Sequence, residues 1–208
     1  MLNIKELINS QQTLILMCPT NKTMIIREAT IKDSELIATY LLLAMEDIVY
    51  KFIGKKDKKA TINLLQHFVK AEQNQYSFQN CLVAEYSGKI IAAINFYDGA
   101  NFIQLREPFL QYIKTNFNKD FNPEIETQAG EYYIDTLGVD QSWQGKGIGS
   151  KLLKFLIEKY VVQAGKTLGL LVEEENPNAK RLYLKLGFKS VGKQILVGKQ
   201  MEHLQIRI

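Results

Sequence analysis

The sequence has few of the residues that build disulfide frameworks and metal centres. Two cysteines, Cys18 and Cys81, occur among 208 residues, and they lack the spacing of metal ligands. The two histidines, His67 and His203, are isolated in the sequence. We expect each of them on a surface or a helix face rather than as a ligand or a catalytic base. The sequence therefore predicts no metal site and a reduced, cytoplasmic location.

Long apolar runs and a strong charge excess are also missing. No apolar run approaches the roughly 20 residues of a membrane-spanning helix. The short stretch Leu14–Cys18 is not followed by a small-residue cleavage site and does not fit a signal peptide. The net charge of +4 agrees with a polyanionic ligand but is too small for a nucleic-acid-binding stripe. We expect neither a membrane partner nor a nucleic-acid partner.

The composition that remains is that of one ordinary globular domain. Hydrophobic residues make up 46% of the chain and charged residues 23%, which is enough apolar material for a core. The length favours one domain, and no repeat or linker divides the sequence. We predict a single domain over residues 24–208, preceded by an N-terminal appendage over residues 1–23.

Hydrophobic periodicity predicts an α+β domain with a mixed sheet. Apolar residues recur at helical spacing in residues 34–50, 60–72, 147–163 and 179–186. Strand patterns occupy residues 24–29, 81–86, 90–97, 131–139, 168–172, 192–197 and 201–208. The connection over residues 98–130 is unusually long, and its apolar residues predict a packed lid with a short helix at 106–115.

One stretch, residues 135–153, passes from a strand through a glycine-rich turn into a helix. The turn contains Gln144, Gly145, Gly147 and Gly149. The first N–H groups of such a helix are unpaired, and the helix dipole adds positive potential. Glycines let the backbone approach a ligand closely. The stretch therefore predicts an anion site, above all for phosphate.

The spacing of the glycines separates three kinds of phosphate site. A P-loop needs Gly, four residues, then Gly-Lys-Ser/Thr, which is absent. A dinucleotide turn needs a third glycine where the chain has Ser150, and it follows a first strand rather than a hairpin. A third pattern, Gln/Arg-x-x-Gly-x-Gly/Ala, is satisfied in full by Gln144, Gly147 and Gly149.

This third pattern resembles the acetyl-CoA-binding motif of the GNAT superfamily of N-acetyltransferases. A second segment, Asn176–Phe188, resembles the family signature Asn-x-x-Ala-x-x-Leu-Tyr-x-x-x-Gly-Phe. Both motifs occur in the family's order, with one strand between them. The resemblance covers residues 24–208 and implies a three-layer fold, in which helices flank a mixed, mostly antiparallel sheet.

The resemblance implies acetyl-CoA as cosubstrate and assigns residues to it. Backbone N–H groups of the turn would hold the pyrophosphate, and peptide groups of a splayed strand would pair with pantetheine. The implied cofactor-binding residues are Leu137, Val139, Gln144, Gly145, Lys146, Gly147, Ile148, Gly149, Ser150, Asn176 and Tyr183. For Asn176 the alternative is a helix cap, and for Lys146, Lys151, Lys180 and Arg181 it is a solvated helix face.

Four residues are candidates for proton transfer, one as the acid and three as the base. Tyr183 stands where the family commonly places the acid that protonates the leaving thiolate, and packing is its alternative role. Glu131 matches the catalytic glutamate of the histone-acetylating branch, although a strand-start surface charge fits equally. Asp135 shares a strand face with Glu131 by alternation and is the second candidate base. Glu107 in the lid is a third.

The resemblance implies direct transfer of an acetyl group to a primary amine, without an acyl-enzyme. The acceptor, a small molecule or a peptide, stays open, and family members often form homodimers. One alternative is a non-catalytic acyl-CoA-binding sensor of the same fold. Another is a dinucleotide-binding oxidoreductase.

Overall fold

The computed structural model describes residues 14–17 and 23–208. In this part of the chain, one sheet contains eight strands in the order β1-β2-β3-β4-β5-β6-β8-β7. Their bounds are β1 Leu14–Met17, β2 Thr23–Glu28, β3 Cys81–Tyr86, β4 Lys89–Asp98, β5 Tyr132–Val139, β6 Leu168–Glu173, β7 Lys189–Leu196 and β8 Lys199–Ile206. Only β5 and β6 run parallel, and every other neighbouring pair is antiparallel.

Five α-helices cover the two faces of this sheet. They are α1 Ser34–Ile53, α2 Lys58–Lys70, α3 Phe102–Asn116, α4 Ile148–Leu156 and α5 Pro177–Lys185. A π-helix, Ile157–Val162, continues α4. No helix in the described ranges is long and apolar enough to cross a membrane.

The helices divide into two layers, each with its own core. The first core joins α1, α2 and α3 to one sheet face and buries Leu41, Phe68 and Phe109. The second joins α4, the π-helix and α5 to the opposite face and buries Leu152 and Leu170. The predicted three-layer α+β fold with a mixed, mostly antiparallel sheet is confirmed. We call the two sides the α1–α3 face and the α4–α5 face.

Two irregularities of β5 shape the centre of the sheet. Against β4, Asn95 pairs with Thr136 and Phe96 with Ile134, so Asp135 is an extra, bulged residue. Against β6, pairing is restricted to residues 132–134 and ends at Ile134 and Leu170. Beyond that point β5 and β6 diverge, while β6 stays paired with β8 as far as Glu173.

The long connection after β4 is packed rather than projecting. Phe109 and Ile113 of α3 and Phe121 of the following loop are buried in the core of the α1–α3 face. The helix is longer than predicted, because Asp98 caps a 3-10 turn at Gly99–Asn101 that leads directly into α3. Pro108, inside α3, weakens the sequence signal for its first half.

The first strand lies within the range predicted as an appendage. Leu14–Met17 pairs antiparallel with β2 and forms the edge of the sheet. Residues 1–13 and 18–22, and with them Cys18, lie outside the described residues.

Candidate active site

The site is built around the gap where β5 and β6 diverge. The N–H of Asp140 donates to the carbonyl of Ile91 on the β4 side. Because peptide groups alternate along a strand, those of Leu137 and Val139 point away from β4, into the gap beside β6. The gap thus presents strand edges that have no ladder partner beyond Ile134 and Leu170, and an extended ligand can complete them as a further strand would.

The glycine-rich turn lies at the open end of this gap. After β5, Asp140 caps a 3-10 turn at Gln141–Trp143. Gly145 and Gly147 then take positive φ angles of 73° and 75°. The first bond within α4 joins the N–H of Lys151 to the carbonyl of Gly147, so the amides of residues 148–150 precede the helical ladder. These amides are the free helix-start donors from which the sequence predicts an anion site.

Two other glycines permit close packing around the gap. A Cβ on Gly149 would lie 3.2 Å from Cδ2 of Leu137, so α4 sits directly against β5. A Cβ on Gly138 would lie 1.9 Å from the backbone carbonyl oxygen of Tyr40, so α1 crosses the opposite side of β5 at still shorter range. The strand that lines the gap is therefore clamped between two helices.

Polar side chains of the turn fix its shape or are already engaged. The side-chain amide of Gln144 donates to the carbonyl of Val139 at 3.1 Å, which ties the turn to the end of β5. The Lys146 ammonium lies 4.9 Å from the centre of the Trp143 ring. Outside the turn, on α5, Lys180 forms an ion pair with Glu202 and is thereby engaged within the protein.

Helix α5 contributes two of the predicted residues. Asn176 caps this helix by accepting the N–H of Ala179 at 3.1 Å, so the cap role of Asn176 is present in the structure. Tyr183 packs edge-on against Phe188 and joins the core of the α4–α5 face. Burial raises the pKa of Tyr183 to about 12, so its phenol is protonated at neutral pH.

Asp135 lies on the α1–α3 face, just beyond the point where the pairing of β5 and β6 ends at Ile134 and Leu170. We call this point the fork. Its carboxylate accepts from the Tyr97 hydroxyl at 2.8 Å and from the Thr136 hydroxyl at 2.7 Å. Burial raises the pKa of Asp135 despite these hydrogen bonds. A carboxylate with a raised pKa is suited to accept a proton near neutral pH.

Glu131 is on the same face but in a closed environment. Only 3% of its surface is exposed. Its carboxylate accepts from Thr127 at 2.7 Å and Gln205 at 2.8 Å, and it pairs with His203 Nε2 at 2.9 Å. Burial opposes its ionised form, but these hydrogen bonds outweigh burial and lower the pKa of Glu131. The carboxylate occupies the space that a Cβ on Gly169 would fill.

The residues around the gap match a known family model. The model for the acetyltransferase (GNAT) family covers residues 50–188, more than half of the chain. The chain belongs to the GNAT family of acetyltransferases. It is therefore a transferase, and its match includes both segments that the sequence singled out.

Curated relatives of this GNAT enzyme are N-acetyltransferases. The chain is 40% identical to N-alpha-acetyltransferase RimI of Mycobacterium tuberculosis over 66 residues, 32% of this chain and 40% of the relative. It is 32% identical to the spermine/spermidine N(1)-acetyltransferase of Bacillus subtilis over 77 residues, 36% of this chain and 51% of the relative. The alignments thus span about half or less of these relatives' length.

Solved structures of acetyltransferases share the fold over most of the chain. One crystal structure of an acetyltransferase is 32% identical, covers 88% of this chain and 98% of its own, and has a TM-score of 0.71. An N-acetyltransferase from Staphylococcus aureus Mu50 is 24% identical, with coverage of 87% and 99% and a TM-score of 0.73. The latter likeness shows the fold alone.

The GNAT enzyme's predicted residues fall into three groups. Around the gap lie Leu137, Val139 and the turn from Gln144 to Ser150. Asp135 stands at the fork, on the opposite face from Tyr183. Glu107 is on the exposed side of α3, where it accepts from Gln111 at 2.8 Å, and Glu131 is enclosed under β6.

Two further side chains lie near the candidate bases of the acetyltransferase, and the sequence did not single them out. His203, expected to stand alone, contacts Glu131, and the polar alternation of His203 and Gln205 along β8 was the available signal. Glu126 is one of several carboxylates in the connection over residues 98–130, and the sequence pattern does not distinguish it from the others. The structure brings it beside Tyr133, to whose hydroxyl its carboxylate is hydrogen-bonded at 3.3 Å.

Proposed function

We propose that this GNAT enzyme transfers the acetyl group of acetyl-CoA to a primary amine by direct attack. The observation that carries the proposal is the gap beyond Ile134 and Leu170, into which the peptide groups of Leu137 and Val139 point. Pantetheine is a chain of amides, so it can pair with these groups as an added strand. In this proposal the amides of residues 148–150 hold the pyrophosphate at the helix start.

The chemistry requires a proton acceptor for the amine and a donor near sulfur. Asp135 is the better supported base, because it stands at the fork and has a raised pKa. Glu131 is disfavoured, because its oxygens are already hydrogen-bonded and its pKa is lowered. The N–H groups of Leu137 and Val139 are candidate donors to the carbonyl oxygen of the thioester as it becomes negative.

Tyr183 fits a hydrogen-bonding role at the sulfur. With a pKa of about 12 it is a weaker acid than a thiol, whose pKa is about 8.5. The phenol therefore keeps its proton, and its O–H group stabilises the departing thiolate by donating a hydrogen bond to it. No acyl-enzyme is proposed, since Cys81 is buried and its burial raises the pKa of the thiol to about 12.

The acceptor is proposed to be a small amine or a peptide amine. The curated relatives are named for N-alpha and spermine/spermidine acetylation, which supports an amine acceptor without choosing between these two. The homodimer stays a prediction from the resemblance, and the cytoplasmic location stays a prediction from the low cysteine content. A sensor module without turnover is the second candidate, and it differs by binding acetyl-CoA without releasing CoA.

A matched pair of glycine variants tests the binding site. Gly147→Leu places a side chain in the turn, and Gly165→Leu places the same side chain on a glycine whose φ is also positive, at 61°. A Cβ meets nothing within 4 Å at either position, so the two variants carry similar backbone strain. By calorimetry, only Gly147→Leu should lose acetyl-CoA binding.

Turnover separates the enzyme from the sensor. CoA release should be measured with spermidine, lysine and a short peptide with a free N-terminus, and acetyl-CoA but not NAD should protect the wild type against thermal unfolding. Saturable binding without release from any amine would favour the sensor. No binding at all would refute both candidates.

A further inference from the structure

Two carboxylates from different elements, each hydrogen-bonded to a tyrosine, lie on the α1–α3 face beside the fork. Asp135 comes from the bulge of β5, and Glu126 comes from the loop after α3. Tyr97 donates to Asp135 at 2.8 Å, and Tyr133 lies 3.3 Å from Glu126. The ring centres of Tyr97 and Tyr133 are 5.9 Å apart. The carboxylates are thus held by neighbouring phenols, next to the point where the strands diverge.

The loop that carries Glu126 is fixed on both sides. Arg106 of α3 donates to the carbonyl of Glu124 at 2.9 Å and to that of Pro123. The side chain of Gln194 in β7 donates to the carbonyl of Ile125 at 3.3 Å. These bonds hold the residues immediately before Glu126, so its position is set by the fold.

The electrostatic surroundings favour a proton on this pair. Burial raises the pKa of Glu126 to about 8, with Asp135 as the next cause, and burial also raises the pKa of Asp135. Arg106 from α3 opposes the shift of Glu126, and Glu124 from the loop adds to it. The other titratable groups that face the pair are the Cys81 thiol of β3 and three tyrosines, from the segment before β3, from β4 and from β5: Tyr76, Tyr97 and Tyr133.

We propose that Glu126 and Asp135 act as one carboxylate pair that binds the acceptor's ammonium group and takes up its proton. This inference rests on the proposed acetyl transfer. The ionised pair accepts one proton from the ammonium. The lone pair released on nitrogen forms the C–N bond to the thioester carbon, and the C–S bond breaks with its electrons going to sulfur. The second proton leaves nitrogen as the amide forms and ends on the thiolate.

The first test does not depend on turnover. Carboxyl carbons are labelled with ¹³C and titrated by NMR in the free wild-type enzyme. In the wild type we expect one glutamate or aspartate carboxyl to titrate near pH 8. In Glu126→Gln and in Asp135→Asn, the unsubstituted carboxyl of the pair should titrate at least one pH unit lower. Glu72→Gln, which removes an exposed carboxylate elsewhere, should leave the titration near pH 8 unchanged. A wild type without any carboxyl titrating above pH 6 would overturn the proposal.

The second test measures acetyl transfer to spermidine or the peptide, whichever turns over faster. In Glu126→Gln, the acidic limb of kcat/KM should move down by at least one pH unit, and the KM for the amine should rise about tenfold. The KM for acetyl-CoA should stay within twofold, and Glu126→Asp should restore the amine KM to within about threefold of wild type. A Glu126→Gln enzyme with the wild-type profile and amine KM would refute the role of the pair.

The two tests separate this inference from the proposed function. A wild type that shows the NMR step near pH 8 but acetylates no amine refutes the transfer reaction, and the proton-taking role falls with it. A wild type that acetylates amines without the NMR step refutes the pair alone.

Discussion

Replacing Glu131 by glutamine decides whether this residue is a base or a structural anchor. The amide keeps the shape of the side chain and cannot accept the amine proton. Loss of a general base lowers turnover by about 10²–10⁴-fold. If Glu131 is structural, as its three hydrogen-bond partners indicate, the kcat of Glu131→Gln should stay within about threefold of wild type.

The cost of this change to stability follows from the contacts. Oε2 contacts both His203 and Gln205, and Oε1 accepts from Thr127. A glutamine can direct its oxygen at His203 and Gln205 and its NH₂ at the Thr127 hydroxyl, so all three contacts survive without the charge. Hydrogen bonds to a charged group contribute about 1.5–3 kcal/mol, and hydrogen bonds between neutral groups contribute about 1 kcal/mol. We therefore expect Glu131→Gln to lower the free energy of unfolding by about 1–3 kcal/mol. Urea unfolding measures it.

The pH dependence of this loss gives a second readout. The pKa of Glu131 is lowered in the folded protein from the ordinary value of 4.5. Its ionised form therefore adds stability at every pH above about 4.5, and this contribution is lost as pH falls through the folded pKa. The stability difference between wild type and Glu131→Gln should be constant from pH 8 to pH 5 and shrink below that. A hundredfold fall in kcat with unchanged unfolding would instead make Glu131 the base.

Three other changes test the surroundings of the gap. Gly138→Ala, whose Cβ would overlap the Tyr40 carbonyl, should cost about 1–3 kcal/mol in urea unfolding, whereas Gly192→Ala in open space should be nearly neutral. Tyr183→Phe should lower kcat about tenfold and leave the KM for acetyl-CoA within twofold; an unchanged kcat would remove its role at sulfur. Arg106→Gln removes a cation that lowers the pKa of Glu126, so the acidic limb of the kcat/KM profile should move to higher pH. A shift to lower pH would contradict the role of Glu126 as proton acceptor.

Much of the fold followed from the sequence because its signals are local. The predicted strand at 81–86 has the observed bounds, and the returning strand is one residue longer at each end. Hydrophobic periodicity sets these elements, and the glycine spacing sets the turn before α4. The π-helix after Leu156 was not predicted, since its apolar residues continue the helical pattern.

The acidic side of the site could not be predicted in the same way. Glu126 and Asp135 are nine residues apart in sequence, but they reach neighbouring tyrosines only because the loop after α3 folds back and is bonded to Arg106 and Gln194. The contact between Glu131 and His203 joins residues that are 72 positions apart. Such contacts depend on strand order and register, which periodicity does not reveal.

The bulge at Asp135 connects the two halves of the site. In a regular strand, residues 131, 133, 135, 137 and 139 would share one face. The structure instead places Asp135 on the α1–α3 face and packs the Leu137 and Val139 side chains near Gly149 on the α4–α5 face. The same extra residue reverses which peptide groups point away from β4. One inserted residue therefore directs a carboxylate towards the α1–α3 face and turns the Leu137 and Val139 peptides towards the gap, so deleting it should disable both proposed functions together.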